Sequence, residues 1–138
     1  MLSDDELLRL ADDHGTPLYA FDTRDLAPRV ARLRAALPRD VALCYAVKAN
    51  AFVLPALEPL VERLEVCSPG ELRICRALGV PGEKVVLSGV NKDEPTVDDA
   101  VGAAGVPSVV TVESASQLAL VRRVARARGL RVPVLLRL

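Results

Sequence analysis

Lys48 is the residue whose type and setting most clearly allow covalent chemistry. It stands in Tyr45-Ala46-Val47-Lys48-Ala49-Asn50, directly after an apolar run that reads as a strand. Parallel α/β folds place their active sites at the C-terminal ends of strands. Apolar neighbours there can draw a lysine partly out of water, which disfavours the ammonium form. The neutral amine is the form that Schiff-base chemistry uses. A solvated lysine at a strand end is the ordinary alternative, and the residues around Lys48 leave both open. Lysine is scarce, 3 residues against 15 arginines, so Lys84 and Lys92 are the other amines to weigh.

The remaining reactive residues are few. Cys44, Cys67 and Cys75 are odd in number and contain no CxxC pair. They support neither a disulfide framework nor a zinc site, and read as small buried apolar residues. His14 is the only histidine and falls at an expected helix end before Gly15. A metal site or a Ser-His-Asp triad would rest on it alone.

These residues must be positioned by an aliphatic scaffold. The chain has 138 residues, 51% hydrophobic and 26% charged, with 22 Leu, 20 Val and 19 Ala but only 2 Phe, 2 Tyr and no Trp. Disorder is excluded, and Val-rich strands under Ala/Leu-rich helices are implied. Eighteen basic residues balance eighteen acidic ones, which argues against a nucleic-acid partner held by a basic field. No apolar run reaches the ~20 residues of a membrane helix, so no membrane partner is expected. The acidic, amphipathic start is unlike a signal peptide, and a cytoplasmic location is the default expectation.

The order of elements follows from caps and spacing. Ser3-Asp4-Asp5-Glu6 is a capping box, predicting a helix to about His14 with Gly15 as its stop. A short strand over Pro17–Asp22 and a helix from Asp22 or Thr23 to about Leu37 come next. Residues 1–40 thus form an N-terminal helix-strand-helix segment. Strand-like runs then begin at Val41, near Glu65, at Val85, at Ser108 and at Val132, at steps of 24, 20, 23 and 24 residues. A helix-sized segment fills each gap: Phe52–Leu64, interrupted by Pro55 and Pro59; one capped by Ser68; Glu94–Ala104 before Gly105; and one capped by Ser114 and ended by Gly129. Strands alternating with helices predict a parallel α/β sheet over residues 41–138. No GxGxxG follows the first strand, which weighs against a dinucleotide-binding doubly wound sheet. Ala42, Cys44 and Ala46 share one strand face with Lys48, and Val41, Leu43, Tyr45 and Val47 the other. Small residues on one face suit a curved sheet, so the expectation is a partial (β/α)8 TIM barrel of about five βα units.

Tyr45-Ala46-Val47-Lys48-Ala49-Asn50 resembles the lysine motif of the fold-type III pyridoxal-phosphate enzymes, which include alanine racemase and the ornithine, diaminopimelate and arginine decarboxylases. Other stretches resemble the decarboxylase branch in the same order. They are Gly15 to Tyr19 (GTPLY), Glu65 to Leu72 (EVCSPGEL), Val85 to Lys92 (VVLSGVNK), Glu113-Ser114 with Gln117-Leu118, and Val134 to Leu138 (VLLRL). The resemblance implies an alanine racemase-like barrel, pyridoxal 5'-phosphate as cofactor, an amino acid as small-molecule substrate and decarboxylation as the reaction. It implies that Lys48 holds the cofactor as an internal aldimine, and that Arg137, matching an arginine on the fifth barrel strand, lies near the cofactor. A plain charge at a strand end is the alternative for Arg137. Glu65 stands where the family usually has an aspartate beside the cofactor. Ser68 and Glu71 also match family positions, but their capping box accounts for them. Asn91 and Lys92, on a βα loop, receive no role.

A complete barrel of this kind takes ~250 residues. The later barrel strands, a cofactor-stacking histidine, a glycine-rich phosphate loop and a C-terminal β-domain are not in the sequence. The expectation is therefore the N-terminal part of such an enzyme, inactive alone, whose complete form is a homodimer. A racemase on the same fold and a non-catalytic truncated remnant are the alternatives.

Overall fold

The computed structural model describes residues 2–102 and 107–138. It divides into two compact units, Met1–Val41 and Ala42–Leu138.

The first unit holds helices α1 (Asp4–His14) and α2 (Leu26–Ala36). Ser3 caps α1 reciprocally: its side chain accepts from the Glu6 N–H while the Glu6 carboxylate accepts from the Ser3 N–H at 2.7 Å. Asp22 caps a short 3-10 turn, Thr23–Asp25, that leads into α2. The expected strand over Pro17–Asp22 does not form. Within the segment the Tyr19 and Phe21 rings stack 6.4 Å apart. No other strand pairs with the segment among the described residues, and an extended segment becomes sheet only through a partner.

The second unit is a five-stranded parallel sheet in the order β1-β2-β3-β4-β5. Its strands are β1 (Cys44–Ala46), β2 (Arg63–Val66), β3 (Val85–Leu87), β4 (Val109–Val112) and β5 (Val134–Leu136). Every strand pairs with its sequence neighbour, and the order never reverses. That is barrel winding, not the doubly wound alternative. The sheet is not closed: β1 and β5 are its two edges.

Successive right-handed crossovers in one direction leave all connections on one face. That face packs α4 (Pro69–Ala77) on β2, α5 (Glu94–Gly102) on β3 and α6 (Ala115–Arg128) on β4. The core lies there. Leu64, Val66, Val85, Leu87, Val110 and Val112 alternate out of the strands to meet Leu72, Cys75, Val97, Val101, Val121 and Val124, all buried. The expected end of α5 at Ala104 and Gly105 lies outside the described residues. Ser68 and Ser114 cap α4 and α6 as their spacing predicts, and Gly129 ends α6 with φ +65°. Between β1 and β2 the two prolines reduce the expected helix to one turn, α3 (Leu54–Leu57), flanked by 3-10 turns.

β1 is shorter than its apolar run. The Leu43 N–H donates to the Glu62 carboxylate at 2.7 Å, while the Leu43 carbonyl accepts from both Glu62 and Arg63. A side chain from the β1–β2 connection thus takes the place of the ladder bond that the Leu43 N–H would make. At the other end Val47–Ala49 turns into a 3-10 helix, so the alternation of faces stops at Ala46.

Candidate functional site

The face opposite the helices carries Cys44, Ala46, Arg63, Glu65, Val86, Ser88, Val109, Thr111 and Leu135, the other half of each strand's alternation. Ala42, Cys44, Arg63, Glu65, Ser88 and Thr111 are among the residues lining an open hollow of about 450 Å³ on it. Two hydroxyls bridge its middle. Thr111 donates to the Leu87 carbonyl at 3.0 Å, so Ser88 is the donor in the 2.7 Å contact between Ser88 Oγ and Thr111 Oγ1.

The C-terminal edge of the sheet collects the ionisable groups. Lys48 occupies the turn after β1, held from both sides. Val47 is buried at 1% exposure, and the Tyr45 hydroxyl donates to the Asn50 carbonyl at 3.0 Å across the turn. Asn50 in turn accepts the Phe52 N–H at its side chain, which starts the next turn. The Lys48 side chain is exposed, so the partial desolvation expected from its neighbours is not found: the apolar Val47 points into the core instead. Lys48 Nζ lies 4.0 Å from Cys67 Sγ, in the loop after β2.

Cys67 is fixed by its surroundings. Its N–H donates to Glu71 Oε2 at 2.9 Å, and Glu71 Oε1 accepts from the Ser68 hydroxyl. On the other side Gly89, at φ +90°, approaches so closely that a Cβ there would stand 2.5 Å from the Cys67 carbonyl oxygen. Burial pushes the Cys67 thiol above its ordinary value; Glu65 and Glu71 act the same way, while Lys48 and Lys92 oppose them.

Lys92, in the β3–α5 loop, donates to the Gly89 carbonyl and to Gln117 Oε1. Gln117 is itself locked, accepting from the Glu113 N–H at 3.0 Å and donating to the Val90 carbonyl at 2.9 Å. Burial holds the Lys92 ammonium below the usual lysine range, against the nearby Glu113 carboxylate. Glu113 also faces Arg137, just after β5, at 3.5 Å. Lys84, just before β3, lies at the opposite edge and is paired with Glu58 at 2.6 Å.

Lys48, Glu65 and Arg137 therefore lie on one face or its C-terminal edge. Among the described residues no hydrogen bond or ion pair joins Lys48 to either of the others; Cys67, Lys92 and Glu113 lie between. Sequence reasoning assigned no site role to Cys67, Gln117 or the Ser88–Thr111 pair. It also read all three cysteines as buried, whereas Cys44 is exposed on the open face and Cys67 half-buried. The period-two alternation that sets Cys44 beside Lys48's face was the available signal. Among the described residues no group of three or more His, Cys, Asp or Glu could hold a metal ion, and no helix is long and apolar enough to cross a membrane.

Residues 23–138 match the family described as pyridoxal-dependent decarboxylase, pyridoxal binding domain. The chain is 33% identical over 133 residues to the diaminopimelate decarboxylase of Aquifex aeolicus, covering 95% of this chain and 31% of that one. It is 37% identical over 137 residues to that of Pseudomonas aeruginosa, covering 95% and 32%. The crystal structure of the M. jannaschii diaminopimelate decarboxylase superposes with a TM-score of 0.82 at 28% identity, over 95% of this chain and 32% of that chain. The chain thus spans about a third of the length of the curated relatives it matches. With the match covering the whole sheet and the Lys48 turn, the chain belongs to the pyridoxal-dependent decarboxylase family, in its pyridoxal-binding domain.

Proposed function

We propose that this chain supplies the cofactor-bearing lysine of a pyridoxal-phosphate-dependent amino-acid decarboxylase of the diaminopimelate decarboxylase kind, and that this lysine is Lys48. One observation carries the reading: Lys48 presents an exposed amine at the C-terminal edge, with Cys67 next to it and the open hollow on the same side of the sheet. The residues fit the group. An aldehyde requires a reachable primary amine, which Lys48 offers. An anionic, aromatic ligand is suited by a hollow with polar floor groups, Ser88 and Thr111, and a cation at its edge, Arg137, whose side chain is 66% exposed.

When bound, pyridoxal phosphate supplies an electron sink for the pair left behind as carbon dioxide departs. Lys48 would hold the cofactor through Nζ and, once released, would hold at Nζ a proton for return to the substrate carbon. Arg137 contributes a fixed cation to cofactor binding. Glu65 places a carboxylate in the lining of the hollow, one methylene longer than an aspartate at the same backbone position, and would help hold the cofactor there. The turn clamp by Tyr45 and Val47 keeps Nζ at the edge. All the relatives quoted above are decarboxylases, which favours decarboxylation over racemisation.

The test is borohydride reduction of the chain with pyridoxal phosphate, followed by peptide mapping. The label is expected on Lys48. Labelling confined to Lys92 or Lys84 overturns the assignment.

A further inference from the structure

Among the described residues, the Lys48 amine has no carboxylate partner; its contact is the Cys67 sulfur at 4.0 Å. Both carboxylates near that sulfur act elsewhere. Glu71 spends its two oxygens on the Cys67 N–H and the Ser68 hydroxyl. Glu65 stays on the floor of the hollow. The backbone that carries the thiol is held in place by the Glu71 bond to the Cys67 N–H on one side and by the close approach of Gly89 to the Cys67 carbonyl on the other.

We propose that Cys67 is a positioning residue for Lys48, an uncharged neighbour that keeps the amine at the sheet's edge without pairing it as a salt. This rests on the reading of Lys48 given above. A protonated amine is not a nucleophile, and a carboxylate within about 4–6 Å favours protonation. A thiol at the same point contacts Nζ only weakly and brings no charge while protonated. Four ionisable groups face the sulfur: Glu65 from β2, Glu71 from α4, Lys48 from the turn after β1 and Lys92 from the β3–α5 loop. Burial and the two carboxylates keep the thiol protonated, in line with its role. Position 67 then decides whether the amine has a charged partner: a thiol there leaves Lys48 unpaired, and a carboxylate there pairs it as a salt.

The experiment uses the 138-residue chain, pyridoxal phosphate as probe, and two variants of equal size, Cys67→Asn and Cys67→Asp. The Lys48 nitrogen adds to the probe's aldehyde carbon, water leaves, and borohydride delivers hydride to fix the adduct, which mapping quantifies at pH 6 to 10. Cys67→Asn is expected to label Lys48 within about threefold of wild type. Cys67→Asp is expected to label it about tenfold less at pH 8 and to recover at higher pH, a one-unit displacement of the profile. Any folding defect from changing the side chain's size is shared by both variants and cancels in their ratio. Superposable Asn and Asp profiles overturn the proposal. A wild-type chain left unlabelled at Lys48 at every pH overturns the Lys48 reading itself, a different result from equal labelling of the two variants.

Discussion

Gly89 and Cys67 touch across the β2–β3 edge so tightly that the glycine's missing side chain is the condition for their contact: a Cβ at 89 would lie 2.5 Å from the Cys67 carbonyl oxygen and 3.3 Å from its Cα. The same glycine has φ +90°, a conformation that other residues adopt only under strain. Its own carbonyl receives the Lys92 ammonium. One backbone position thus sets the spacing between the loop beside Lys48 and the loop bearing Lys92.

Gly89→Ala should cost about 2–4 kcal/mol, combining left-handed strain with a backbone clash. Gly79→Ala is the control, because Gly79 has φ +71° but open space around it. It should cost only about 1 kcal/mol. Urea unfolding of both variants checks this. Equal losses would show that strain alone matters and that the Gly89–Cys67 approach relaxes freely.

Arg137→Ala should separate binding from folding. The Arg137–Glu113 pair is 3.5 Å long with the arginine largely exposed, and such pairs contribute about 0–1 kcal/mol. The melting temperature should move little, while pyridoxal phosphate is retained about three- to tenfold less well, measured by dialysis and absorbance. A collapsed melting curve with unchanged retention would make Arg137 a folding residue.

Asp93 should give the fold an acid-sensitive cap. The Thr96 hydroxyl, and after it the Thr96 N–H that its carboxylate accepts at 2.9 Å at the start of α5, hold it below the ordinary aspartate value of 3.8. A carboxylate depressed in the folded state stabilises above its unfolded value and loses that effect as pH falls through the folded one. Asp93→Ala should therefore melt earlier than wild type at pH 7, and the gap should narrow as pH drops below 3.8. Asp93→Asn should keep most of the cap and show a flatter pH dependence. Parallel Ala and wild-type curves down the whole acid range would show that the charge is not coupled to folding.

Local signals were legible in the sequence, and contacts between distant residues were not. Ser3, Ser68 and Ser114 cap helices through bonds that span three residues, so spacing alone revealed them. The five strands appeared because apolar runs recur at a nearly fixed step, and their one-sided helices follow from consecutive pairing. Pro17–Asp22 has the alternation of a strand but pairs with no strand among the described residues, and alternation cannot supply that pairing. β1 starts late because the carboxylate of Glu62, nineteen residues on, takes the Leu43 N–H. In the site, Lys48 stood out by its motif and strand-end position. Cys67 did not, since its meeting with Lys48 depends on the register that pairs Ala46 with Glu65. Gln117 passed as a helix-start residue, although its amide ties the β3–α5 loop to the β4–α6 turn through three bonds.

The Lys84–Glu58 pair, at the edge away from Lys48, divides the molecule's nucleophilic nitrogen unevenly. Two lysine amines stand on one rim, and the third is engaged twice by Glu58, through carboxylate and carbonyl, on the other. The 15 arginines carry the rest of the positive charge, and guanidinium stays protonated at any physiological pH. A small aldehyde wandering over this surface therefore meets many cations but few reaction partners. Arginine supplies charge without a reactive amine, and 18 acidic residues balance it, so the positions open to an aldehyde are set by where the lysines stand and not by a broad positive field.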